Sequence, residues 1–182
     1  YLVRLISSLD AFRRDSRSEA GQVLEEHERL MAAFPLSPLR PEQIAQSIHQ
    51  AARVSTIDQD SSILWRLEQF FVVNDFLKEY GDLGELELEG MSETIPQRLM
   101  VMNGKLVDER VRGNPVVNAT SRMALAPTPQ AIESLYLAAL NRKPTQSEID
   151  YFTPWFDSGN PIDATGDVLW ALVNSTEFLW NH

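Results

Sequence analysis

Three groups of residues have the types that could do chemistry. The densest is acidic: Asp82, Glu85, Glu87, Glu89 and Glu93 follow one another with no base among them, and Gly81, Gly84 and Gly90 are interspersed. Calcium takes several oxygen ligands and needs glycines where its loop turns sharply. Here, however, Glu85, Glu87 and Glu89 alternate with Leu86 and Leu88. A period of two aligns carboxylates along one side of an extended segment, over many ångströms, instead of converging them on an ion. The stretch therefore reads as a solvated acidic loop. Asp82, Glu85, Glu87 and Glu89 are the residues to inspect for a cation, and no metal is expected.

The second group is the three histidines. His27 falls on an apolar stripe, His49 follows Ile48, and His182 is the last residue. None sits in a ligand array, and the sequence holds no H-E-x-x-H, EF-hand, G-x-S-x-G or phosphate-loop pattern. Structural or solvent-facing roles follow for all three. The third group is aromatic: Trp155, Phe156, Trp170, Phe178 and Trp180 crowd the last third of the chain. Tryptophans can stack a sugar or anchor a protein interface, and Trp155, Trp170 and Trp180 are the candidate binding residues. At helical spacing such rings more often belong to a core.

Composition narrows the function classes further. The 182 residues carry a formal charge of −10, which opposes nucleic-acid binding because that affinity comes from Lys and Arg neutralising phosphates. The chain has no cysteine, which removes thiol catalysis, disulfides, Cys-ligated zinc and c-type haem attachment together. No run reaches the ~18 apolar residues of a membrane span, and no cofactor is expected. An apolar fraction of 43% with 23% charged residues is ordinary for a folded domain. A chain of this size removes roughly 70% of its unfolded surface from water. The sequence opens at Tyr1 without Met and reads as a piece of something longer, from which an export signal would have been lost.

The elements that must position these residues read as helices throughout. Tyr1–Asp10 is a short amphipathic segment. Ala20, Val23, Leu24, His27, Leu30, Met31 and Phe34 trace a 3.6-residue period that Pro35 and Pro38 stop. Pro41 fits the first turn of a helix whose narrow stripe is Ile44, Ala45, Ile48, Ala51 and Ala52. The strongest core candidate is Ile63–Leu77. Ile63, Leu67, Phe70 and Leu77 form one stripe there, and Trp65, Val72 and Phe76 a second, so the helix is expected to lie buried between neighbours. Helical spacing resumes at Ile95, Leu99, Met102 and Leu106, with Asn103-Gly104 as a cap or kink, and a further segment follows from Val116 to Leu125.

Signals are densest after Ala126-Pro-Thr-Pro129, where Thr128 can cap and Pro129 can take the first helical position. Ile132, Leu135, Tyr136, Ala139 and Leu140 make a full stripe, and Asn141-Arg-Lys-Pro144 ends it. Thr145-Gln-Ser-Glu148 is a capping box for a helix carrying Ile149, Tyr151, Phe152, Trp155 and Phe156. Asp163 is placed to cap the last helix, and Ser175 marks a break and restart. Leu169, Leu172, Phe178 and Trp180 are expected to be buried and to hold the tail on the body. The expected architecture is all-α: one domain over 1–182 with about eight or nine helices and one extended acidic loop. A subdivision, if present, would separate 1–126 from 127–182.

Three blocks carry a resemblance. They are Ile95-Pro-Gln-Arg-Leu-Met-Val-Met-Asn-Gly-Lys-Leu-Val107, Leu135-Tyr-Leu-Ala-Ala-Leu-Asn-Arg-Lys-Pro-Thr145 with Glu148, and Leu169-Trp-Ala-Leu-Val-Asn-Ser-Thr-Glu-Phe-Leu-Trp-Asn-His182. In that order, and with Pro38-Leu-Arg-Pro-Glu-Gln-Ile-Ala45 upstream, they resemble the closing part of the planctomycete domain of unknown function numbered 1553, over roughly residues 38–182. The Leu-Tyr and Asn-Ser-x-Glu-Phe blocks are also similar to a short helical repeat of bacterial surface proteins. The resemblance implies a place near the C-terminal end of a large exported protein, periplasmic or at the cell surface, often with a cytochrome c-like domain upstream. Many members carry cysteines before the first block, where this chain has Glu85-Leu-Glu-Leu-Glu89. No catalytic residue carries over.

The expectation is accordingly a non-enzymatic helical domain that packs against other domains of its parent chain or a protein partner. A carbohydrate-binding or carbohydrate-active module is the alternative, resting on the tryptophans, the acidic surface and the exported setting. Support of an upstream cytochrome-like domain is a third reading.

Overall fold

The computed structural model describes residues 1–10, 25–30, 32–33, 37–52, 63–80, 99, 101–104, 107 and 124–181. Its elements are helical, apart from one two-residue bridge. In chain order they are α1 (Leu2–Ser7), α2 (Glu25–Arg29), α3 (Pro41–Ala51), α4 (Ile63–Tyr80), α5 (Thr128–Leu140), α6 (Gln146–Asp157), α7 (Pro161–Val173) and α8 (Thr176–Leu179). Among the described residues the all-α expectation is met, with eight bounded helices. The bridge pairs β1 (Ser37–Pro38) with β2 (Trp180–Asn181), antiparallel, with Pro38 opposite Trp180. No described helix is long and apolar enough to cross a membrane.

The residues fall into two units. The smaller comprises Tyr1–Pro38 with Trp180–His182, and the larger Leu39–Leu179. The turn at Ala126 that opens α5 lies inside the larger unit.

In the smaller unit, α1 buries none of its residues. Leu2, Val3, Leu5, Ile6 and Leu9 are all exposed, so the amphipathic pattern forms a helix there without a core beneath it. The helix expected over 20–34 is described only from Glu25 to Arg29, with Ala33 buried beyond it.

The larger unit holds the core. Pro41 stands at N1 of α3, where its missing N–H costs nothing, and the Gln43 side chain accepts a hydrogen bond from the Arg40 backbone N–H at 2.9 Å. The stripe of Ile44, Ala45, Ile48, Ala51 and Ala52 is fully buried, as its spacing predicts. His49 is buried with it, a structural position on a core-facing helix.

α5, α6 and α7 pack on one another, α3 packs on α5, and α8 closes on α5 and α7. Ala131, Ile132, Leu135 and Tyr136 from α5 meet Val168, Leu169, Leu172 and Val173 from α7 in a layer with almost no solvent access. Leu169, Leu172 and Phe178 are buried as expected, while Trp180 is half-buried.

Three boundary details differ from the sequence reading. α5 starts one residue early, with Pro127 as N-cap and Pro129 inside the first turn. α7 is capped by Asn160, whose Oδ1 accepts from the Ile162 N–H at 3.1 Å, with Pro161 at N1. Asp163 sits a turn further in, where a carboxylate favours the positive end of the helix. An Asn-Pro pair is itself a strong start signal, and it outcompetes the acid that follows. The capping box at Thr145 forms as read: the Glu148 carboxylate accepts from the Thr145 N–H at 2.7 Å, and Thr145 Oγ1 accepts from the Glu148 N–H at 3.4 Å. Ser175 does restart the chain, its Oγ accepting from the Phe178 N–H at 3.2 Å. Asn141, left-handed at φ 54°, ends α5 in a conformation that asparagine tolerates better than most residues.

α4 departs most from expectation. It packs on α3, and Val73 and Phe76 are buried, yet Ile63, Leu67, Phe70 and Phe71 are 74%, 46%, 61% and 61% exposed. At about 100° per residue, those four lie within roughly 100° of arc, with Phe76 on the opposite side and Val73 flanking the row. Among the described side chains of α4, burial is confined to Val73 and Phe76.

Candidate functional site

The candidate tryptophans stand on three different elements. Trp180 belongs to the smaller unit, in the bridge with Pro38. Trp170, on α7, is half-buried and donates its Nε1–H to the Met102 carbonyl oxygen at 3.0 Å, which ties α7 to the helical residues around Val101. That bond satisfies the one polar atom of the indole, and the ring serves packing.

Trp155 stands apart, because α6 turns it outward. Phe152 and Phe156 take the buried side of α6, each 7% exposed, while Tyr151 and Trp155 remain 64% and 37% exposed. Spacing explains the split: Phe152 and Phe156 are four apart, Tyr151 and Trp155 are four apart, and the two pairs are offset by one residue, or about 100°. Tyr151 and Trp155 lie 6.0 Å apart between ring centroids, tilted by 50°, and the Phe152 ring meets Trp155 edge-on at 5.2 Å. The indole is thus fixed by one buried and one exposed aromatic neighbour. The sequence names Ile149, Tyr151, Phe152, Trp155 and Phe156 as this helix's apolar residues without dividing them between two faces.

An open cavity of about 510 Å³ lies where α6 hands over to α7. Trp155 and Pro154 form one wall, Ser158 and Asn160 the turn, and Asp163 and Asp167 the α7 side, with Ala164 behind them. A turn of helix separates the two carboxylates, so they share a face. The turn can be tight because nothing crowds it: a methyl placed on Gly159 would meet only the Trp155 carbonyl oxygen, at an ordinary 3.9 Å.

A second polar assembly lies between α5, α6 and α8, and it is structural. Arg142 donates from Nε and Nη2 to the Glu177 carboxylate at 2.6 and 2.8 Å, and from Nη1 and Nη2 to Glu148 at 3.0 and 2.8 Å. Its guanidinium carbon also lies 5.1 Å from the centre of the Tyr136 ring. One side chain thereby joins the start of α6, the start of α8 and the buried ring of α5. The Arg142 hydrogen bonds hold the Glu148 carboxyl down to about 2. Burial, reinforced by the nearby Glu148 carboxylate, pushes the Tyr136 phenol up to about 12. Such a network fixes geometry; it offers no open position for a substrate.

The acidic candidates Asp82, Glu85, Glu87 and Glu89 lie outside the described residues. Among the described residues no group of three or more His, Asp or Glu side chains is arranged to hold a metal ion. His49 is buried in α3 and His27 is half-buried in α2, and His182 lies outside the described residues.

No family model matches the chain, and neither does any curated protein or solved structure.

Proposed function

We propose that this is a non-enzymatic interaction domain whose α4 surface docks against another domain of its parent chain. The observation that carries the reading is the row Ile63, Leu67, Phe70 and Phe71, exposed on a helix that packs on α3 and buries Val73 and Phe76. Fully burying one such side chain is worth roughly 1.5–3 kcal/mol, so the four, 46–74% exposed, together forgo roughly 4–7 kcal/mol. That is comparable with the whole stability of an ordinary domain, about 5–15 kcal/mol. Scattered exposed apolar residues need no explanation, but a contiguous row with two phenylalanines meeting edge-on, 5.9 Å apart, marks a contact surface. The resemblance to domains of large exported proteins supplies the setting: a multidomain chain working outside the cytoplasm.

A photo-crosslinking amino acid at position 70 of the full parent chain tests this. A discrete crosslink to another domain of that chain is expected, lost when Leu67 and Phe71 are both changed to glutamate. Crosslinking only to a separate protein would reassign the occupant, and no crosslink would sink the reading. Turnover of any substrate in a hydrolase panel, abolished by one side-chain change, would overturn the non-enzymatic part.

The carbohydrate reading keeps one observation in its favour, the exposed indole of Trp155 at the rim of a cavity. Trp170 does not line that cavity.

A further inference from the structure

We infer that the cavity between α6 and α7 is a receptor for a basic side chain, a guanidinium above all, presented by a protein partner. It is independent of the α4 surface and stands or falls separately.

The cavity itself comes first. At about 510 Å³ it falls in the range of small-ligand clefts, and the part of a side chain that would enter it is far smaller than a drug. Its walls are of two kinds. One is aromatic: Trp155 lines the cavity, and Tyr151, outside the lining, packs against its indole 6.0 Å away on the exposed side of α6. Exposed, mutually fixed aromatics attract a weakly hydrated cation that keeps an apolar body. The facing wall holds Asp163 and Asp167, two acceptor-only groups one helical turn apart. No ion pair is made by either carboxylate among the described residues.

The surroundings have the same sign. From Pro144 to His182 the chain contains no Lys or Arg, while Glu148, Asp150, Asp157, Asp163, Asp167 and Glu177 are all acids. Arg142 neutralises Glu148 and Glu177; the four aspartates have no base on this stretch. The helix ends do not reverse that balance. The negative end of α6 and the positive end of α7 meet at this turn, each equivalent to about half a charge, and they largely cancel. Two carboxylates beside an indole are then left to set the field.

These features separate the ligand classes. A neutral sugar brings hydroxyls that both donate and accept, and half of that capacity has no partner on an acceptor-rich wall. An anion is repelled. A guanidinium brings five donors and no acceptor, pairs with carboxylates in a fork, and stacks on aromatic rings. An ammonium matches the charge but forms neither the fork nor the stack.

The experiment follows the Trp155 indole N–H resonance, assigned with Trp155→Phe, while the 182-residue chain is titrated at 150 mM NaCl. The probes are Nα-acetylarginine methylamide, its lysine and citrulline counterparts, and cellobiose. Arginine amide is expected to give a saturable shift with a Kd of about 1 mM, the scale for a ligand this small. Lysine amide should bind several-fold more weakly and citrulline amide should give no saturable shift. Asp163→Asn with Asp167→Asn should weaken arginine binding at least tenfold while the far-ultraviolet circular dichroism stays unchanged. Tyr151→Ser, on the exposed side of α6, should weaken it several-fold and serves if the double variant fails to fold. Citrulline binding as tightly as arginine would remove the charge argument, and lysine binding as tightly would remove the guanidinium. Saturation by cellobiose with arginine silent would make the cavity a saccharide site. No saturable shift with any probe would overturn the proposal outright.

Discussion

α4 and the α5–α8 bundle are both rich in large apolar side chains, yet they treat them differently. In the bundle each apolar stripe meets another: α5 faces α7, α6 packs on both, and α8 closes behind them. In α4 Val73 and Phe76 are buried, while Ile63, Leu67, Phe70 and Phe71 face water. Burial in the first case is spent on one fold; in the second it remains available to another surface. Mutations should therefore split cleanly, with bundle positions reporting on stability and α4 positions on association.

The largest effect is expected deep in the bundle. Leu169 is fully buried against α5, and Leu169→Ala removes its apolar contacts and leaves a cavity. A loss of about 3–4 kcal/mol in urea unfolding is expected. Phe70→Ser, a comparable deletion of ring surface on α4, should change stability by no more than about 0.5 kcal/mol. If the two losses were equal, the distinction between a closed core and an open face would collapse.

Arg142 comes next. Arg142→Met keeps most of the volume but removes the cationic partner of the Glu148 and Glu177 carboxylates, which are roughly three-quarters covered. About 2–3 kcal/mol should be lost. Arg142→Lys should recover less than half of it, since an ammonium cannot fork to two carboxylates at once.

The pH dependence sharpens the same point. Glu148, free to titrate near 4.5 when unfolded and held near 2 when folded, contributes stability that is fully present above about pH 4.5. That contribution is lost as pH falls through 2. With the pair still partly solvated, a loss on the order of 1–2 kcal/mol over that window is expected in wild type, with that component missing in Arg142→Met. Tyr136 works at the other end. Its phenol is raised from 10 to about 12, so its contribution is intact below pH 10 and disappears between 10 and 12. Urea melts across both windows measure each arm.

How much of this was legible in the sequence depended on whether the signal was local. Thr145 with Glu148 declares a helix start within four residues, and the capping box forms as read. The stripe Ile44, Ala45, Ile48, Ala51, Ala52 declares a buried face, because small and branched side chains at that spacing have little other use. Periodicity does not say which of two apolar faces finds a partner, and on α4 that was the whole question. Nor does it say whether aromatics offset by one residue share a face: Tyr151 and Trp155 turn outward while Phe152 and Phe156 turn in. Arg142 gave no signal, since a single base in a turn is ordinary. Its role arises only because folding brings Glu177, thirty-five residues on, to 2.6 Å.

The smallest predicted effect bears on the cavity. Gly159 sits in the turn joining α6 to α7, and a methyl there would lie 3.9 Å from the Trp155 carbonyl oxygen with nothing nearer. Gly159→Ala should therefore be tolerated, and by reducing the freedom of the unfolded chain it should add a few tenths of a kcal/mol. The same variant should leave the Trp155 indole resonance in place, because the added methyl approaches a backbone oxygen and not the ring. A shifted resonance or a destabilised fold would mean that the turn is tighter than an ordinary contact, and the open cavity it borders would be narrower for any side chain to enter.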